Sequence, residues 1–192
     1  MVTNVVELFG KKFDISIAFV GLGGAGKTTL CNTLQNLTPD ENITYTTRGM
    51  NIEVLTYESD GQITEFLAID LGGQKDLSES VWKPHVESVQ AVAFLFDGTD
   101  PESAENAKTW LFRVHDWMKS DASLLFLCNK SDLENCISLE EAIDALELTK
   151  LLDIRPHSLG IYRVSGLHNK DIDKALNWLL TKIKDDLKHA RL

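Results

Sequence analysis

Short apolar runs along this chain alternate with segments of helical periodicity. Runs at about 14–20, 63–69, 89–96 and 122–128 are rich in Ile, Val, Phe and Leu, and Gly, Asp, Asn or Lys bounds each of them, a pattern typical of buried strands. A weaker run at 161–164 predicts one more strand. Apolar residues at helical spacing predict helices over about 26–37, 102–119, 138–150 and 170–189. The pair Ser138 and Glu141 fits a capping box at the start of the third helix.

Residues 50–69 have a different pattern. The stretches "MNIEVLTY" and "QITEFLAI" both favour extended structure, and the turn residues "ESDG" between them predict a hairpin. Alternation of strands and helices over the remaining chain implies parallel pairing of the other strands. We therefore predict an α/β fold in which helices cover both faces of a mostly parallel six-stranded sheet with one antiparallel edge strand.

The first thirteen residues differ from the rest of the chain. Val2, Val5, Val6, Phe9 and Phe13 recur at helical spacing. This spacing predicts an amphipathic helical segment over residues 1–13, ahead of a single domain over residues 14–192.

The composition of the chain disfavours several classes of function. The chain has 192 residues and a formal net charge of −10, with no Lys/Arg-rich run, so nucleic-acid binding would meet repulsion from every phosphate. The apolar runs are shorter than the ~20 residues of a membrane-spanning helix, and the N-terminus lacks a signal-peptide pattern. Cys31, Cys128 and Cys136 have no metal-ligand spacing, which favours reduced, buried thiols. We accordingly expect a monomeric cytoplasmic protein that does not bind nucleic acid.

The loop after the first strand is the first candidate for chemistry, since ligands of such sheets bind at the carboxyl ends of the strands. It reads "GLGGAGKT" and fits the pattern G-x-x-x-x-G-K-[ST]. Glycines let backbone N–H groups converge on phosphate oxygens, Lys27 can reach the terminal phosphates, and the Thr28 hydroxyl can bind Mg²⁺. The alternative is a plain glycine turn with an exposed lysine. The candidate nucleotide contacts here are Gly21, Gly23, Gly24, Ala25, Gly26, Lys27, Thr28 and Thr29.

The stretch "NKSD" at 129–132 follows another predicted strand and therefore lies at the same edge of the sheet. The Asp132 carboxylate can accept hydrogen bonds from guanine N1–H and the exocyclic amine, a donor pair that adenine lacks. Asn129 would brace the loops, and the aliphatic stem of Lys130 can lie over the base plane. Alone, the pattern also fits an ordinary polar loop. Together with the phosphate loop, it predicts binding of GTP or GDP.

Two further stretches are candidates for chemistry at the terminal phosphate. In "DLGGQ" at 70–74, Asp70 can hold Mg²⁺ through a water, the Gly73 N–H can approach the phosphate, and Gln74 can orient an attacking water. The polar loop "TYTTRG" at 44–49 offers Thr47 as a second Mg²⁺ ligand. Lys27 and Gln74 are then the predicted catalytic residues for hydrolysis of GTP to GDP and phosphate.

These motifs, together with "RGMNIE", "VSGL" and "LNWLL", resemble in order and spacing the Arf, Arl and Sar group of small GTPases in the Ras superfamily, over nearly the whole chain. The resemblance implies the three-layer P-loop fold of small G proteins and a GTP/GDP switch in membrane trafficking or recruitment. It implies that Ser165, Gly166 and Leu167 form the last guanine loop, and that Thr47 reaches Mg²⁺ and the terminal phosphate only in the GTP state.

The resemblance also implies partners. These are an exchange factor, a GTPase-activating protein and effectors. Residues 1–13 would contact a membrane surface reversibly in the GTP state, the alternative being a segment that stays docked on the domain. Arg48 directly follows the switch threonine, Thr47. An exposed arginine that contacts a partner is a simpler interpretation of Arg48 than a built-in arginine finger. We therefore expect slow intrinsic hydrolysis that depends on an activating partner.

The chain departs from the group at several positions. It begins "MVTN" where most Arf members begin Met-Gly, so we expect no myristoyl anchor by that route. Gly23 stands where Arf proteins usually have Asp, Thr46 where they usually have Pro, and Ile69 where they usually have Trp. These differences concern recognition by regulators rather than the nucleotide site.

Two other functions remain open from the residues alone. One is a GTP-binding module with negligible hydrolysis that acts as a scaffold. The other is a P-loop nucleoside kinase or ATPase, which the "NKSD" stretch disfavours.

Overall fold

The strands form one six-stranded sheet and a separate short hairpin. The computed structural model describes residues 7–8, 11–35, 49–59, 62–72 and 78–189. The hairpin pairs β1 (Glu7–Leu8) with β2 (Lys11–Lys12). The sheet contains β3 (Ser16–Val20), β4 (Met50–Ser59), β5 (Gln62–Leu71), β6 (Ala91–Asp97), β7 (Ser123–Asn129) and β8 (Leu159–Arg163).

The strand order of the sheet is β4-β5-β3-β6-β7-β8. At one edge, β4 pairs antiparallel with β5, and every other neighbouring pair is parallel. This topology confirms the predicted mostly parallel sheet with one antiparallel edge strand. Because β3, β5, β6, β7 and β8 run in the same direction, the loops that follow them meet at one edge of the sheet.

Helices cover both faces of the sheet. They are α1 (Lys27–Leu34), α2 (Ser78–Val86), α3 (Ala104–Trp117), α4 (Leu139–Ala145), α5 (Leu148–Ile154) and α6 (Ile172–His189), and a 3₁₀ turn over Pro101–Ser103 precedes α3. Ser138 and Glu141 form the predicted capping box. Over the described residues, no helix has the length and apolarity that crossing a membrane would require.

Two apolar cores lie on opposite faces of the sheet. Alternate residues of β3 divide between them, since successive side chains of a strand point to opposite faces. Ile17 and Phe19 pack with α1 and α6, whereas Ala18 and Val20 pack with α2, α3, α4 and α5. The three cysteines are free and buried, as expected.

The helix predicted for the N-terminal segment is wrong where that segment is described. Glu7 pairs with Lys12 across the antiparallel hairpin. Such pairing satisfies backbone groups that a helix would bond internally, and Gly10 between the two strands disfavours a helix by about 1 kcal/mol relative to Ala. Residues 1–6 and 9–10 lie outside the described residues, so the rest of that prediction stays open.

Helix α2 was not predicted from the hydrophobic pattern. It contains Pro84, which normally ends a helix, and it has few apolar positions. Tertiary packing supports it instead, because Trp82 is fully buried and its ring meets the ring of Trp110 edge-on at 5.3 Å. The Trp82 Nε1 also donates a hydrogen bond to the Gly72 carbonyl at 2.9 Å, which ties α2 to the "DLGGQ" stretch.

The single helix predicted over 138–150 is two helices, α4 and α5. Glu147 between them has a φ of 53°, in the left-handed region that ends a regular helix. The break allows Leu146 and Leu148, on either side of it, to be buried together in the same core.

Candidate nucleotide-binding site

Glycines shape the loop between β3 and α1. Gly21, Gly24 and Gly26 have φ values of 144°, 81° and 90°, which other residues rarely adopt. Space is restricted as well: a Cβ on Gly21 would lie 2.2 Å from the Leu95 carbonyl oxygen, and one on Gly26 would lie 2.4 Å from Asn129 Nδ2. The loop then enters α1 directly, and the N-terminus of a helix is a favourable place for an anion.

The ammonium group of Lys27 lies inside this loop. Its Nζ donates hydrogen bonds to the carbonyl oxygens of Gly21 and Leu22 at 2.8 and 3.0 Å, and the residue is only 6% exposed. Burial lowers the pKa of Lys27 from its ordinary value of 10.5 to about 8, and the nearby Asp70 carboxylate opposes that shift. A plain glycine turn would leave the lysine exposed, so the structure excludes that alternative.

Thr28 and Asp70 form an oxygen pair beside Lys27. The Thr28 hydroxyl donates to Asp70 Oδ2 at 2.6 Å, although the two residues come from the start of α1 and the end of β5. Hydroxyl and carboxylate oxygens are hard ligands of the kind that Mg²⁺ prefers. The donor set therefore fits this ion.

Asn129, at the end of β7, joins three stretches of the chain. Its Nδ2 donates to the Ala25 carbonyl at 2.8 Å, and its Oδ1 accepts from the Gly166 N–H at 2.8 Å, both bonds being buried. The side chain thus connects the phosphate loop with the "VSGL" loop after β8. Ser165 is fully buried in that loop, and Leu167 is half-buried.

Lys130 follows with a φ of 68°, and its ammonium group bonds Asp97 Oδ2 at 2.5 Å. Two residues further on, Asp132 Oδ2 lies 3.9 Å from His168 Nε2. Asp97 and His168 were not among the predicted site residues. The signal for Asp97 was available in the sequence, because an aspartate directly follows the buried run of β6 at the edge where the phosphate loop lies.

Three predicted site residues, Thr47, Gly73 and Gln74, lie outside the described residues, and so does Arg48. Gly72 is described and is buried, with its N–H donating to the Gly49 carbonyl at 2.8 Å. Gly23 and Gly24 are exposed, and Thr28 and Thr29 are half-buried.

A cavity of about 500 Å³ adjoins the phosphate loop. It lies between that loop, the end of β6 and the start of α3, and its lining includes Gly23, Asp97 and Asn106. Lys27, Thr28 and Asp132 do not line it. We therefore assign the candidate site from these side chains, and the cavity lies beside that site.

Known proteins resemble this chain over most of its length. A family model described as the ADP-ribosylation factor family matches residues 1–183. The chain belongs to the ADP-ribosylation factor family. The ADP-ribosylation factor-like protein 1 of Saccharomyces cerevisiae is 31% identical over 181 residues, which cover 94% of this chain and 93% of the yeast protein. Human ADP-ribosylation factor-like protein 5A is 29% identical over 185 residues, which cover 95% of this chain and 96% of the human protein.

A solved structure in this family supports the same conclusion. The Arl6 BBS3 small GTPase of Trypanosoma brucei, with the nucleotide analogue GppNp bound, matches with a TM-score of 0.73 and 25% identity, over 90% of this chain and 98% of that one. As a member of the ADP-ribosylation factor family, this chain is a small GTPase that binds GTP and GDP.

Replacing Lys27 by Met is expected to stabilise the nucleotide-free protein at pH 7. Burial lowers the pKa of this ammonium from 10.5 to about 8, which costs roughly 3 kcal/mol at ~1.4 kcal/mol per pKa unit. Between pH 8 and 10.5 the unfolded chain keeps a proton that the folded chain releases, so wild-type stability rises through that window and the advantage of Lys27→Met shrinks.

Urea unfolding of nucleotide-free protein at pH 7 and pH 9.5 measures this difference. The matched control is Lys170→Met, which removes an exposed lysine. Equal stability of Lys27→Met and wild type at pH 7 would contradict the expected cost of the buried charge.

Proposed function

We propose that this chain is an Mg²⁺-dependent GTP/GDP switch whose slow hydrolysis is accelerated by a partner. The observation that carries the proposal is the pair of hydrogen bonds of the Asn129 side chain, which stands at the start of one candidate base loop and links the phosphate loop with the other. A nucleotide needs both contacts at once, phosphate at one end and base at the other. Membership of the ADP-ribosylation factor family supports the same function.

The phosphates would bind the loop over residues 21–28. Backbone N–H groups and the buried Lys27 ammonium supply positive potential there, which favours an anion despite the acidic protein as a whole. Thr28, Asp70 and, in the GTP state, Thr47 would hold Mg²⁺. When bound, that ion supplies charge neutralisation of the phosphate oxygens.

The base would bind between the loops after β7 and β8. Asp132 would accept hydrogen bonds from guanine N1–H and the exocyclic amine, and a backbone N–H of the loop over residues 165–167 would lie near the base carbonyl. The stem of Lys130 would cover one face of the base, with Leu167 at the edge of the pocket. These assignments together make guanine the selected base.

Hydrolysis would require few groups from this chain. Gln74 would orient the attacking water, the Gly73 N–H would bind the terminal phosphate, and Lys27 would stabilise charge on the phosphate oxygens in the transition state. No in-chain arginine finger is assigned, since Arg48 is better suited to partner contact. A GTPase-activating protein is therefore proposed to complete the site.

Gln74→Leu is expected to slow single-turnover hydrolysis of bound GTP at least tenfold, because the water loses its orienting amide, while GTP affinity stays near that of wild type. Phosphate release after Mg²⁺ addition measures the rate, with Gln62→Leu at the opposite end of β5 as the matched control. Preference for ATP would contradict the proposal. Equal, negligible GTP turnover of wild type and Gln74→Leu would instead favour the scaffold function.

Asp132→Asn is expected to weaken GDP binding about 10- to 100-fold, because charge-assisted hydrogen bonds to the guanine edge are lost. Xanthosine diphosphate should gain affinity at the same time, since its 2-carbonyl can accept a bond from the new amide. Competition against a fluorescent guanine nucleotide measures both effects. Glu134→Gln, an exposed carboxylate two residues away, is the control, and unchanged base selectivity of Asp132→Asn would contradict the assignment.

We further propose that the GTP state is recruited to a membrane surface in trafficking, through the apolar residues of the N-terminal segment. Flotation with anionic liposomes should recover more protein loaded with a non-hydrolysable GTP analogue than with GDP, because apolar burial drives such binding. A Val5→Ser, Val6→Ser double variant should lose the difference. Equal flotation of both nucleotide states would leave a segment that stays docked.

A further inference from the structure

We propose that Asp97 is a positioning residue of the nucleotide site, which fixes the side chain of Lys130 against the plane of the base. The inference rests on the proposed function and adds a residue that belongs to none of the nucleotide-binding motifs. Three observations carry it: the strand register, the hydrogen bonds of the carboxylate, and the backbone conformation of Lys130.

The strand register brings the two residues together. In the parallel pairing of β6 with β7, Asp97 lies opposite Asn129, the residue before Lys130. The Gly98 N–H continues the ladder by donating to the Asn129 carbonyl at 3.1 Å. The end of β6 is thereby fixed directly beside the start of the "NKSD" loop.

Thr99 and Lys130 bind different oxygens of the Asp97 carboxylate. Its Oδ1 accepts hydrogen bonds from the Thr99 N–H at 3.0 Å and from the Thr99 hydroxyl at 2.6 Å. Its Oδ2 accepts from Lys130 Nζ at 2.5 Å. One oxygen anchors the carboxylate to its own turn, and the other is directed at the lysine.

Lys130 is therefore fixed at both ends. At the backbone end its φ of 68° is in the left-handed region, and at the other end the ammonium group bonds Asp97. The side chains are 31% and 17% exposed, so the pair is partly screened from water. The four-carbon stem between the two fixed points has few remaining conformations, so little rotamer freedom is left for a base to remove when it binds.

A purely structural role for Asp97 is the alternative. In that case the carboxylate would act through Thr99, by stabilising the turn between β6 and α3, and Lys130 would be incidental. The two roles predict different coupling between the effects of changing Asp97 and of changing Lys130. A positioning role requires that removing the Lys130 charge abolishes the effect of changing Asp97, whereas a structural role leaves that effect intact.

The test is a double-mutant cycle on nucleotide dissociation. Asp97→Asn keeps the shape and the oxygen facing Thr99 but removes the charge that holds Lys130, and Lys130→Met keeps an apolar stem without the ammonium group. Release of a fluorescent GDP analogue is followed with excess GDP and Mg²⁺. Each single variant is expected to release the nucleotide roughly five- to tenfold faster than wild type, and the double variant no faster than either single one.

Two further measurements separate positioning from damage to the fold. In Asp97→Asn, the single-turnover rate of hydrolysis of bound GTP should change less than the rate of GDP release, because the base is remote from the reacting phosphate. Asp100→Asn removes an equivalent charge from the same cavity edge and should leave dissociation unchanged. If Asp97→Asn does not fold, Lys130→Met alone decides, since release at the wild-type rate overturns the proposal.

The outcomes distinguish this inference from the proposed function. A wild-type protein that fails to retain guanine nucleotide would overturn the proposed function itself. If wild type retains GDP while Asp97→Asn behaves like Asp100→Asn, or if its effect persists in the Lys130→Met background, the positioning role is overturned and the switch stands.

Discussion

The candidate site depends on one primary amide, the side chain of Asn129. Its NH₂ group donates to the phosphate loop and its carbonyl oxygen accepts from the loop after β8, so both bonds are made only in one orientation. An aspartate or leucine of similar size could make one bond at most. Loss of the amide would leave two buried backbone groups unsatisfied, at about 1–3 kcal/mol each. The side chain of Asn129 therefore links loops that are far apart in the chain.

The charge distribution of the site is adapted to a ligand rather than to the empty protein. The chain is acidic overall, yet a buried ammonium and the N-terminus of α1 face the phosphate loop. Backbone carbonyls of Gly21 and Leu22 compensate the charge only in part, because burial still lowers the pKa of Lys27. A phosphate would supply the missing negative charge. Binding energy and folding stability are thus linked at this residue.

Features that depend on local sequence could be predicted, whereas those that depend on packing could not. The phosphate loop, the sheet and the capping box follow from glycines, apolar periodicity and the Ser138/Glu141 pair. Helix α2 depends on the burial of Trp82, which outweighs the presence of Pro84, and the break at Glu147 depends on burying leucines on both sides. The contact of Asp97 with Lys130 depends on the register between β6 and β7, which cannot be deduced from the residues of either strand alone.

The close approach of Gly26 to Asn129 has a consequence for how this sequence can change over time. The asparagine side chain occupies the space where a Cβ at residue 26 would be, and the φ of 90° at Gly26 disfavours other residues as well, so any larger residue there would displace the side chain that links the two loops. As long as Asn129 keeps its position, even an alanine at residue 26 would force the asparagine side chain to move and would strain the two hydrogen bonds that it makes. A residue at the end of β7 therefore restricts which residue the loop before α1 can carry, about a hundred positions earlier in the chain.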